Sequence, residues 1–107
     1  MEILDVLEMK ISLCRQNYET YRNSSFLSNV YAAELEQLKE FRDKLQAGES
    51  PEIMLQSLQQ LLPELKAYRE QEAVSPSFDW YGEHYRYEQL EGVCSAFETM
   101  ISLLEQI

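Results

Sequence analysis

Histidine occurs once in this chain, at position 84, so the Glu-x-x-His repeat on two helices that a di-metal carboxylate bundle requires is missing. His84, with Glu83 before it and Glu88 four residues on, is expected instead to make a local ion pair or hydrogen bond on one helix face. Glycine occurs three times and nowhere forms a phosphate-cradling loop. Two cysteines, Cys14 and Cys94, are too few and too far apart for a disulfide framework or a zinc site. Both fall on apolar stripes and are expected as packed free thiols. Neither has a basic group placed to activate it, since Arg15 points about 100° away around a helix from Cys14. Long apolar runs are also missing: nothing approaches the roughly 18 uninterrupted residues of a membrane span. The start Met1-Glu2-Ile3-Leu4-Asp5 has no basic segment of the kind that opens a signal peptide, so the expected place of synthesis and residence is the cytoplasm.

Positive charge is short as well. Nine Lys and Arg face 19 Asp and Glu, a net charge of −10. Such a surface repels phosphate backbones and anionic lipid, so neither nucleic acid nor membrane is expected as a direct partner. Nothing in the chain marks a cofactor or a small-molecule substrate, carboxylate pairs recur only because the surface is acidic, and the expectation is a non-enzymatic protein with no metal and no catalytic residue.

What the chain does have is helical periodicity. Leu4, Leu7, Ile11, Cys14, Tyr18 and Tyr21 alternate steps of three and four, which places them on one helix face. Asn23-Ser24-Ser25 offers capping chemistry before a second stripe of Tyr31, Leu35, Leu38, Phe41 and Leu45. Residues 1 to 46 read either as two helices or as one long bent one. Gly48 supplies a stop and Ser50-Pro51 a start, because serine caps free amides and proline at the first helical position has no donor to lose. A third stripe follows in Met54, Leu58, Leu61, Leu65 and Tyr68, widened by Leu55 and Leu62, and Pro63 is expected to kink it. Ser75-Pro76 repeats the start device ahead of Tyr87, Leu90, Cys94, Phe97, Ile101 and Leu104. The expected fold is one all-α domain over residues 1 to 107, an antiparallel up-down bundle of three to four helices.

Folding consecutive helices back on one another carries ten of the twelve aromatic residues to one end: Tyr18, Tyr21, Phe26, Tyr31, Tyr68, Phe78, Trp80, Tyr81, Tyr85 and Tyr87. Arg22, Arg69, Arg86 and His84 accompany them, while the other end is mostly aliphatic. Amphipathic rings interleaved with arginine suit a surface that is wet alone and dry in a complex, although the same rings would also fill a wide bundle end. The candidate partner-binding set is Tyr18, Tyr21, Tyr68, Trp80, Tyr81, Tyr85 and Arg86.

Trp80-Tyr81-Gly82, at the turn into a terminal amphipathic helix that carries Tyr85, Phe97 and the tail Leu103-Leu104-Glu105-Gln106-Ile107, resembles the WXG family of small helical hairpins exported by type VII secretion. The resemblance covers the chain from Gln56 onward. It implies a close hairpin turn at Trp80 and Gly82, pairing into dimers, and a role as chaperone or companion of a secreted toxin. It also implies export without a cleaved signal peptide, with Tyr87 and Glu91 in the positions of the family's tyrosine-and-acid export signal. In this chain the tripeptide lies late, behind some fifty additional residues, and Pro63 falls within the first helix of the matching hairpin.

Two functions are therefore expected to compete. One is an adaptor or chaperone-like helical protein that binds an amphipathic protein or a second copy of itself. The other is an acidic inhibitor, of the immunity or phage-encoded kind, that blocks a basic active or nucleic-acid-binding surface.

Overall fold

In a computed structural model, which describes residues 2–75 and 85–106, the chain forms four helices: α1 Ile3–Tyr21, α2 Ser25–Gln46, α3 Pro51–Val74 and α4 Tyr85–Glu105. No strand occurs among the described residues, so the fold is an all-α bundle. Ile3–Tyr21 and Ser25–Gln46 are two separate helices, not one bent one. The break between them is made by Ser24, whose amide bonds the Tyr21 carbonyl at 2.9 Å and whose side chain accepts from the Leu27 amide at 3.3 Å to cap α2.

The turn from α2 to α3 also follows from its residues. Gly48 takes φ +100°, the left-handed conformation that a residue with a Cβ adopts only at a cost. Its amide bonds the Leu45 carbonyl and that of Glu49 bonds the Lys44 carbonyl, both at 3.1 Å, the paired bonds of a Schellman stop. Ser50 then accepts from the Ile53 amide at 3.4 Å and Pro51 opens α3. That helix is a single element across Pro63, which is exposed.

Packing is uneven along the bundle. α4 lies between α2 and α3, α1 packs on α2 with a smaller seam to α4, and the principal seam joins the non-consecutive pair α2 and α4. Along α3 and α4 the contacts run in opposite senses, Gln59 with Glu105, Lys66 with Glu98 and Arg69 with Glu91. Along α2 and α4 they run in the same sense, Phe26 with Tyr87 and Phe41 with Phe97. Gly92 makes that seam close: a methyl group there would collide with the Val30 carbonyl oxygen and stand 2.9 Å from Ala33 Cβ and from the Glu34 nitrogen. The core gathers Leu7, Ile11, Leu38, Phe41, Met54, Leu58, Phe97, Met100 and Leu104 at the end where α1 and α3 begin. Extents of 43 × 30 × 20 Å make the bundle about two helix diameters thick, which leaves every helix a solvent face.

One expected core stripe shifts. Leu61 and Tyr68 are 45% and 61% exposed, and α3 turns Met54, Leu58, Leu62 and Leu65 inward instead. A strict 3.5-residue repeat drifts by about 20° per heptad on a straight helix, so the buried row slides by one position to Leu62 and then to Arg69.

Candidate functional site

The aromatic end assembles from all four helices. Tyr21, near the end of α1, stacks on Tyr31 of α2 with centroids 5.8 Å apart and an interplanar angle of 21°. Phe26, in the first turn of α2, lies 6.4 Å from Tyr87 in the first turn of α4. Tyr87 shares a side-chain hydrogen bond with Glu91 one turn later, and Glu91 pairs with Arg69 of α3 at 3.3 Å. Burial and the Glu91 carboxylate both push the Tyr87 hydroxyl above its ordinary range, so it remains a donor. Arg69 also lies 3.4 Å from Glu70.

This end is packed loosely compared with the aliphatic one. Tyr21 is 42% and Phe26 44% exposed, whereas Phe41 and Phe97, edge to face at 5.3 Å in the core, are buried. Tyr68 projects from α3 above an open groove of about 490 Å³ between α3 and α4, lined by Leu65, Tyr68, Gln71, Glu72, Arg86 and Leu90. Leu65 and Leu90 give it an apolar floor, and Tyr68 and Arg86 stand exposed on opposite banks. A second hollow, of about 350 Å³ and lined by Glu64, Ala67, Tyr68 and Gln71, adjoins the outer side of Tyr68. The ring is therefore a ridge between two depressions.

The expected partner-binding residues divide accordingly. Tyr68 and Arg86 share the α3–α4 groove, and Tyr21 is exposed at the α1–α2 turn with Tyr18 half-buried one turn earlier. Trp80, Tyr81 and the side chain of Tyr85 lie outside the described residues, as do Phe78, Gly82 and the histidine of the expected His84–Glu88 pair. Leu90, which completes the groove floor, was legible only as one more stripe residue. Arg69, Glu91 and Tyr87 tie α3 to α4 beneath it, an arrangement with no short-range sequence signal.

Both thiols are buried and free. Burial pushes the Cys14 thiol up to about 12, with the Glu34 carboxylate adding to the effect, and its sulfur lies 3.5 Å from the Tyr31 carbonyl oxygen. Cys94 is likewise raised by burial, against the pull of Arg69. Neither is a thiolate at neutral pH. Glu34 is half-buried where α2 meets α4. Desolvation raises its carboxyl above the usual range although Ser95 hydrogen-bonds it. Among the described residues no group of three His, Cys, Asp or Glu side chains could hold a metal ion, and no helix is long and apolar enough to cross a membrane. No family model matches the chain, and no curated protein or solved structure is significantly similar to it.

Proposed function

We propose that this chain is a non-enzymatic helical interaction protein, an adaptor or chaperone-like partner that receives an amphipathic protein segment at its aromatic end. The observation that carries the reading is Tyr68, 61% exposed beside a groove floored by Leu65 and Leu90 and faced by Arg86. A large amphipathic ring held on a rigid helix next to an arginine costs little entropy to immobilise, and these two residue types dominate the energetics of protein interfaces. In its sharper form, following the resemblance of Trp80-Tyr81-Gly82, the partner is a toxin of type VII secretion and the complex is exported.

A binding titration with the product of the adjacent gene, or with partners captured from the native host, tests this. Tyr68→Ala and Arg86→Ala are each expected to weaken binding about tenfold or more with helicity unchanged. Wild-type affinity in both variants would remove the groove as the binding site.

The acidic-inhibitor reading is favoured by a different surface. An open hollow of about 560 Å³ on α2 and α4 is edged by Glu36, Glu40 and Asp43 over Ala33 and Val93. Those carboxylates are already paired with Lys39, Lys44 and Arg42, which reduces what a basic partner would gain. Salt separates the two readings: binding through charge weakens steeply as ionic strength rises, whereas binding at the Tyr68 groove does not.

A further inference from the structure

The first half of α3 carries a surface that the aromatic end does not use. From Ile53 to Pro63 the sequence Ile-Met-Leu-Gln-Ser-Leu-Gln-Gln-Leu-Leu-Pro contains no charged residue, in a chain of which 26% is charged. Met54 and Leu58 point into the core, while Ile53 and Leu61 are 61% and 45% exposed and Gln56, Ser57 and Gln60 are exposed with them. Ile53, Ser57 and Leu61 succeed one another at intervals of four, so they form one ridge along the outer side of the helix. α3 packs chiefly on α4, and the ridge lies away from that seam.

The chemistry of the ridge selects its occupant. A basic partner would gain no charge energy on an uncharged strip and would be drawn to the carboxylates elsewhere. A second copy faces the opposite situation: each carries −10, so two copies repel over most of their surfaces and can approach only where charge is missing. The ridge is also self-complementary in size, with a large side chain on each side of a small one. An isologous contact requires such a pattern, because the same patch must meet itself about a two-fold axis.

We propose that this ridge is a homodimer interface, in which α3 of two copies cross antiparallel about an axis at Ser57 and Ile53 of each packs against Leu61 of the other. Serine at the crossing lets the backbones approach, and ridges of four-residue spacing interlock at about −50°. The flanking acids oppose the contact. At 1.5 Å per residue Glu52 of one copy falls about 3 Å along the helix direction from Glu64 of the other, so only the crossing angle and the spacing of the axes keep the two carboxylates apart, and salt relieves their repulsion. One helix face of this length belongs with small, weak interfaces, so the dimer forms at concentrations of about 10 to 500 μM.

Sedimentation of the full chain across that range tests the assignment, with circular dichroism of each variant as the check on folding. The wild type is expected to pass from monomer to dimer, and more readily in added salt, which screens the mutual repulsion. Leu61→Glu should raise the dissociation constant about tenfold or more, while Tyr68→Ala leaves it unchanged, which separates this surface from the groove. Ser57→Cys should give a covalent dimer under mild oxidation, because Cys14 and Cys94 are buried, and Glu70→Cys should not. A wild-type monomer at every concentration, a Leu61→Glu dimer as strong as the wild type, or Ser57→Cys that does not cross-link under dimerising conditions would each overturn it.

Discussion

Gly92 is the residue on which the principal seam depends. In an isolated helix Gly→Ala stabilises by about 1 kcal/mol, because alanine has less backbone freedom to lose. Here the added methyl meets the Val30 carbonyl, which belongs to a helix backbone and cannot turn aside. Overpacking outweighs propensity, and Gly92→Ala is expected to destabilise the fold by about 1–3 kcal/mol in urea unfolding. A stabilised variant would mean that α2 and α4 do not approach at this position. In the same contact, Glu34 gives the fold a pH dependence of definite sign. Its folded carboxyl titrates above the unfolded one, so the folded state holds the proton more tightly. The contribution of Glu34 to stability is therefore lost as pH rises from the ordinary carboxylate range through the raised folded value, and it stays lost above that. Glu34→Gln keeps a polar group for Ser95 without the charge. It should be more stable than the wild type at neutral pH, with the advantage shrinking on acidification. An advantage that does not change between pH 4 and 7, measured by parallel urea titrations, would contradict the assignment.

At the scale of elements, the parts that were legible are those fixed within a few residues of chain. Ser24, Gly48, Ser50 and Pro51 announce their stops and starts because capping and left-handed backbone depend on immediate neighbours, and the structure places three helix ends at them. The stripes of α2 and α4 face inward as spaced, with Leu38, Phe41, Cys94, Phe97 and Leu104 buried. On α3 a strict repeat points to Leu61 and Tyr68 while the helix turns Leu62 and Arg69 inward, a drift too small to detect over five residues of pattern. The Glu34–Ser95 contact and the fit of Gly92 against Val30 were not legible, because they exist only once α2 and α4 are side by side. For the same reason the sequence revealed which rings lie near the bundle end but not that Tyr68 and Arg86 share a groove. Pro63 gives the element-level prediction. It is exposed, lacks an amide hydrogen and crowds the Gln59 carbonyl, so Pro63→Ala restores one backbone bond and relieves that crowding. A gain of about 1–3 kcal/mol is expected, below the full helix-interior difference because the unfolded chain regains freedom. A loss of stability in thermal or urea unfolding would show that the packing of α3 on α4 requires the local geometry that proline imposes.

The whole molecule is an acidic body held together by a core at one end. Its ion pairs do little against the net charge. Glu19–Arg22, Glu36–Lys39 and Glu40–Lys44 are local surface pairs three or four residues apart, where each contributes about 0.3–0.5 kcal/mol. Among the described residues three others bridge helices, Glu8–Arg42, Lys66–Glu98 and Arg69–Glu91, and in the first and last the guanidinium is mostly withdrawn from water. Screening weakens these attractions and the excess repulsion together, and with 19 acids against nine bases the repulsion is the larger quantity. Raising sodium chloride from about 20 to 500 mM should therefore raise the melting temperature by a few degrees, equivalent to about 1 kcal/mol for a domain of this size. The scan belongs at low micromolar concentration, where self-association through α3 adds nothing to the apparent stability. A melting temperature that falls with salt would mean that the inter-helix pairs outweigh the net charge, and Arg69→Met would then lose that salt dependence. A rise with salt in the fold, set beside a partner affinity indifferent to salt, is the combination that an apolar groove on an acidic scaffold requires.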